Sequence, residues 1–124
     1  MADALILIVE DNPKNLKLIC DVLQFYGYTT VAVGTATAAI EMARSRPPGM
    51  ILMDIQLPGM DGRAAIKILR ADVKTQAIPI VAMTAFAMKG DRERLLADGF
   101  DDYVAKPIDV KKIPEMIAQY IGRE

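Results

Sequence analysis

Five short apolar runs alternate along the chain with five stretches in which apolar residues recur every three or four positions. Leu5-Ile6-Leu7-Ile8-Val9 is strand-length and apolar throughout, the pattern of a strand covered on both faces. Asn12-Pro13 then supplies a helix N-cap and a proline for the first helical position. Leu16, Ile19, Cys20, Leu23 and Tyr26 recur at helical spacing until Gly27 ends the helix. A second strand is expected from Thr29 to Val33, followed by a helix capped by Thr35, with Ala39, Ile40 and Ala43 inward and Pro47-Pro48-Gly49 as its stop.

The alternation continues with a strand from Met50 to Met53, a loop from Leu57 to Gly62, and a helix carrying Ala65, Ile66 and Leu69. Pro79 introduces the strand Ile80 to Met83. After Ala85-Phe86-Ala87 a charged helix is expected over roughly residues 88 to 98, closed by Gly99. A short strand, Asp102 to Ala105, precedes the last helix. There Asp109 is a natural N-cap, but Pro114 would delete a backbone hydrogen bond inside the helix, so regular helix is expected to begin near Pro114.

A five-fold βα alternation calls for a doubly wound parallel sheet with helices on both faces, of flavodoxin-like α/β architecture and strand order 2-1-3-4-5. In that order strands one and three are neighbours, and function sits at the carboxyl ends of the strands. The 124 residues, 52% hydrophobic and 25% charged, suit one soluble globular domain spanning 1–124.

Net charge is -1 and the lysines and arginines are scattered, which gives no footprint for direct nucleic-acid binding. The apolar runs are too short for a bilayer and the N-terminus has no signal-peptide pattern, so no membrane contact and a cytoplasmic location are expected. The single cysteine, Cys20, excludes an internal disulfide and reads as small core filler. There is no histidine, which removes Ser-His and Cys-His catalysis, imidazole metal ligation and phosphohistidine chemistry on this chain. The eight methionines read as core filler, and Lys89, Asp91, Arg92, Glu93 and Arg94 as a solvated helix face.

Charges stand where the buried runs end: Glu10 and Asp11 after the first, Asp54 after the third, Lys106 after the fifth. Two carboxylates ~4 Å apart repel by roughly 4 kcal/mol at an effective dielectric near 20, so converging acids require a cation. Oxygen ligands suit Mg²⁺, which takes one or two carboxylates and completes its shell with water and phosphate oxygens. Taken singly, Glu10-Asp11 could be acids at a helix N-terminus, Asp54 a turn former, Lys106 a surface lysine, Thr84 a β-propensity choice and Tyr103 a half-buried sheet aromatic. Coincidence would have to place all of them at one sheet edge.

Ile8-Val9-Glu10-Asp11-Asn12, the run from Met53-Asp54 through Leu57-Pro58-Gly59-Met60-Asp61-Gly62, Met83-Thr84-Ala85 and Lys106-Pro107 together resemble the receiver domain of two-component response regulators, the CheY-like superfamily. Thr84 to Asp91 further looks like the single-domain DivK type. The resemblance implies that Asp54 accepts a phosphoryl group from a histidine kinase or a histidine phosphotransfer protein. Asp11 and Asp54 would hold Mg²⁺, with Mn²⁺ as a possible substitute, supported by Glu10 and by the backbone carbonyl of Gln56. Lys106 and Thr84 would meet the phosphoryl oxygens, and Thr84 with Tyr103 would form the switch read by a downstream protein on the face of the fourth helix, fifth strand and fifth helix. No further cofactor is implied, and a monomer or weak dimer is expected. The chain would be no enzyme beyond promoting its own phosphotransfer and a slow autodephosphorylation, the slowness following from Gln56 and Phe86 beside the path of an attacking water. With the chain ending at Glu124, output is expected through protein contact, not through an attached output domain.

Three rivals can be weighed on the same residues. A phosphatase with an aspartate nucleophile needs an acid two residues after Asp54, where Gln56 stands. An FMN carrier needs a phosphate cradle after the first strand, where Glu10-Asp11-Asn12-Pro13 would repel phosphate. A phosphorylation-independent adaptor that keeps the fold without the reaction is the alternative left, and the intact Asp11, Asp54, Thr84 and Lys106 argue against it.

Overall fold

The computed structural model describes residues 5–85, 90–109 and 111–121. Five strands, β1 (Leu5–Val9), β2 (Thr29–Val33), β3 (Met50–Asp54), β4 (Ile80–Thr84) and β5 (Asp102–Ala105), alternate with five helices, α1 (Pro13–Phe25), α2 (Ala36–Ser45), α3 (Gly62–Ala71), α4 (Asp91–Asp98) and α5 (Lys112–Ile121). The strands form one parallel sheet in the order β2-β1-β3-β4-β5, the doubly wound arrangement expected from the alternation.

Each interior strand is buried at every position, because helices cover both faces. Leu7, Val9, Ile51, Met53 and Ala82 join residues of α2, α3 and α4 in one core. Ile6, Ile8, Leu52, Val81 and Met83 join residues of α1 and α5 in the other. The period-2 alternation of strand side chains thus divides each apolar run between two helical layers.

The helix starts follow local chemistry. The Asn12 side chain accepts from the amides of Lys14 and Asn15 at 2.9 and 3.2 Å, and Pro13 occupies a first-turn position that needs no amide. Thr35 accepts from Ala38 and Asp61 from Ala64, capping α2 and α3.

Four details depart from the periodicity. Tyr26 lies just beyond α1 as its C-cap and is exposed, so the inward stripe ends at Leu23. Gly62 is the first residue of α3, because Asp61 caps the helix one residue earlier than a loop ending at Gly62 implies. α4 begins at Asp91, after Gly90 at φ 96°. α5 begins at Lys112, with Pro114 third in the helix, where its missing amide would have had no intrahelical partner. Residues 86–89, which include Phe86 and the expected start of the charged helix, lie outside the described residues. Among the described residues no helix is long and apolar enough to cross a membrane.

Candidate phosphoacceptor site

Strand register builds the site one step at a time. Val9 pairs with Met53 across β1 and β3, which sets Glu10 level with Asp54. Asp54 pairs with Met83 across β3 and β4, so Thr84 stands one residue further along, and Thr84 pairs with Ala105 so that Lys106 follows again. Glu10 and Lys106, one position beyond their strands, continue the side of the sheet that α1 and α5 cover, and Asp54, last in β3, lies on that same side. Thr84 and Tyr103 fall on the opposite side, with α3 and α4, on adjacent strands.

Folding buries the two acids at the strand ends: Glu10 is 1% exposed and Asp54 2% exposed, whereas Asp11 remains in solvent. Each of the three offers a carboxylate oxygen within 4.8 Å of the others. Lys106 Nζ donates to Asp54 Oδ2 at 2.8 Å and forms an ion pair with Glu10 Oε1 at 3.4 Å. Among the described residues, three carboxylates against one ammonium leave an excess of negative charge that a divalent cation would neutralise.

Backbone amides finish part of the acids' coordination. Asn12 donates to Glu10 Oε2 at 3.1 Å and Gln56 donates to Asp54 Oδ1 at 3.0 Å. Glu10 Oε1 is buried with no hydrogen-bond partner among the described residues, a costly condition for a carboxylate oxygen and one that a hard cation would relieve. The donor set therefore fits an oxygen-seeking divalent ion.

Electrostatics follow from this packing. Burial pushes the Glu10 carboxyl above its ordinary value, a shift reinforced by the neighbouring Asp54 and opposed by the Asn12 amide and the Lys106 charge. Burial alone would lower the Lys106 ammonium, but its hydrogen bond and charge pairing with Asp54, aided by Glu10, outweigh that and move it upward. Lys106 is therefore held charged beside the acids.

Thr84 is 2% exposed at the end of β4, and the amide of Lys106 donates to its carbonyl at 2.8 Å. Tyr103 is half-buried against the core that contains Ala82, Leu95 and Phe100. All seven candidate residues thus gather along one edge or on the strand beside it. Gly62, which the sequence pattern places only at the end of a loop, also belongs to the site: a Cβ built there would meet the carbonyl oxygen of Asp54 at 2.7 Å. Its place next to Asp61, a natural N-cap, is the one signal of it in the sequence.

Residues 6–118 match the family model of the response regulator receiver domain, and the chain belongs to that family. Among its curated relatives are the polar-differentiation response regulators DivK of Brucella ovis and Brucella anthropi, each 44% identical over 117 residues, spanning 94% of this chain and 95% of theirs. A solved receiver domain of a sensor histidine kinase from Pseudomonas aeruginosa PAO1 is 38% identical with a TM-score of 0.89, over 98% of this chain and 100% of that one. That structure holds a magnesium ion coordinated in its active-site cleft. The chemotaxis response regulator CheY4 of Vibrio cholerae superposes with a TM-score of 0.89 over 95% of this chain and 98% of its own, and at 20% identity it shares the fold. The chain is thus a receiver-domain signalling module of two-component type.

Proposed function

We propose that this chain works as a receiver in a phosphorelay, taking a phosphoryl group onto the Asp54 carboxylate. The observation that carries this reading is the 2.8 Å hydrogen bond from Lys106 to Asp54 Oδ2, beside a carboxylate cluster whose buried Glu10 Oε1 has no hydrogen-bond partner among the described residues. A carboxylate, a fixed positive charge and a cluster of oxygen donors share one crevice, which supports the reading of Asp54 as nucleophile.

In the proposed reaction an oxygen of Asp54 attacks the phosphorus of a phosphohistidine on a histidine kinase or phosphotransfer protein. A P–O bond forms, the P–N bond breaks, and the departing imidazole keeps the electron pair and takes up a proton. Asp11 and Asp54, supported by Glu10 and the Gln56 carbonyl, would hold Mg²⁺, or Mn²⁺ in its place. Bound there, the ion supplies positive charge to the transferring group's oxygens. Lys106 would meet the same charge, exchanging part of its contact with Asp54 for a phosphoryl oxygen. The Thr84 hydroxyl donates to another oxygen, and Tyr103, on the same side of the sheet, responds by turning inward. The α4–β5–α5 surface carries the change to a protein partner, and the phospho-form hydrolyses slowly.

Acetyl phosphate with Mg²⁺ tests the chemistry without a cognate kinase. Intact mass spectrometry is expected to record the gain of one phosphoryl group by the native chain and none by Asp54→Asn. A native mass that stays constant with every small-molecule and phosphohistidine donor would leave the adaptor reading in its place.

A further inference from the structure

We infer that Arg63 on α3 and Asp98 on α4 form a brace that positions Asp54, acting through Gly62. The inference rests on the reading of Asp54 as phosphoacceptor and adds two positioning residues outside the crevice.

The mechanical contact comes first. The Gly62 amide donates to the Ile55 carbonyl at 2.9 Å, closing the loop that follows β3. A side chain at this position would lie 2.7 Å from the Asp54 carbonyl oxygen and 3.0 Å from the Ile55 Cα. The first turn of α3 therefore abuts the acceptor's own backbone with no side chain between them, and a shift of that turn has no slack to absorb it.

Arg63 is the next residue. Its Nε lies 2.6 Å and its Nη2 3.2 Å from the two oxygens of Asp98, the last residue of α4. The fork-on-fork geometry fixes orientation as well as distance, and the Asp98 side chain is only 12% exposed. α3 also grips the same end of α4 from its other end, where Arg70 Nε donates to the Gly99 carbonyl at 2.9 Å. Two arginines two turns apart on α3 thus hold the end of α4.

Local preferences run against both charges. Arg63 sits in the first turn of α3, where the helix dipole disfavours a cation, and Asp98 ends α4, where it disfavours an anion. Their pairing compensates a double local violation, and such violations mark places where a chain serves a need beyond its own helices.

The test compares the native chain with Arg63→Gln, Asp98→Asn and the charge-swapped R63D/D98R. Three quantities are read: the rate of Asp54 labelling by acetyl phosphate, Mg²⁺ affinity by calorimetry, and the thermal midpoint. The swap places each charge at the helix end that favours it, so the double variant is expected to fold. Measured at a temperature where every variant is folded, each single variant is expected to lose about fivefold in labelling rate and in Mg²⁺ affinity, with a midpoint lowered by no more than a few degrees. The double variant should recover both to within about twofold. Native rate and affinity in both single variants, or a double variant as slow as the poorer single one, would overturn the brace. So would a change confined to the midpoint. A native chain that is never labelled defeats the phosphoacceptor reading instead, and Mg²⁺ affinity across the four chains then decides the brace by itself.

Discussion

Lys106 and Asp54, fifty-two residues apart in sequence, meet through a 2.8 Å hydrogen bond at the ends of β5 and β3. Lys106 is thereby the resident counter-ion of the acid cluster. Replacing it with methionine keeps the stem and removes the charge, so the acids hold a divalent cation more tightly. Calorimetric titration with MgCl₂ is expected to give an affinity about tenfold higher for Lys106→Met, while Asp54 labelling falls. An unchanged or weaker affinity would mean that Lys106 does not share the carboxylates with the metal.

Glu10 carries an opposite cost. Its carboxyl is raised by burial, so the folded chain binds that proton more tightly than the unfolded chain does. The favourable contribution is complete below the ordinary glutamate value of 4.5 and is lost as pH rises through the higher folded value. Glu10→Gln should therefore raise the thermal midpoint by a few degrees at pH 7 in EDTA, with the gain fading at pH 4. The same variant should bind Mg²⁺ more weakly.

Gly62 and Gly34 make a matched pair. A methyl at 62 meets backbone at 2.7 Å, whereas one at 34 meets nothing within 4 Å. Urea unfolding is expected to record a loss of about 1–3 kcal/mol for Gly62→Ala, the usual cost of overpacking, and little change for Gly34→Ala. Equal losses would mean that the close approach of the Asp54 carbonyl is not what penalises a side chain at 62, since helix propensity and chain entropy both favour alanine over glycine.

Arg70 spans the opposite edge of the sheet. It donates to the carbonyls of Gly99, Gln76 and Ile78 and, at 2.8 Å, to Asp101 Oδ2, which also accepts from the Ile80 amide. A lysine ammonium lacks the fork needed to reach these acceptors together. Arg70→Lys should lose nearly as much stability as Arg70→Met, about 2–3 kcal/mol in urea unfolding. Full rescue by lysine would reduce the clasp to a charge effect.

The layered fold was legible because its signals are local. Apolar runs of strand length, Asn12-Pro13, Thr35 and Gly99 each act within a few residues, and every strand lies within a residue of where those signals put it. Glu10, Asp11, Asp54, Thr84 and Lys106 were legible because they stand where those runs stop, and the sheet order then brings them together. Arg63, Arg70 and Gly62 were not. An arginine in the first turn of a helix reads as surface, and its acceptor thirty-five residues away is fixed only by how α3 and α4 pack. Gly62 is the first residue after a cap, and only the approach of the Asp54 carbonyl gives its missing side chain a purpose. Tyr26 erred in the other direction, since helical spacing continues on paper past the point where α1 has already ended.

The stepped register of β1, β3, β4 and β5 also bears on how such a chain can diversify. A one-residue insertion within any of these strands would turn its terminal side chain to the other side of the sheet and dismantle the crevice. Strand lengths are therefore locked by geometry, while the helix faces away from the Arg63–Asp98 contact answer to no such constraint. A lineage built on this sheet can exchange partners by rewriting those faces and leave its chemistry intact.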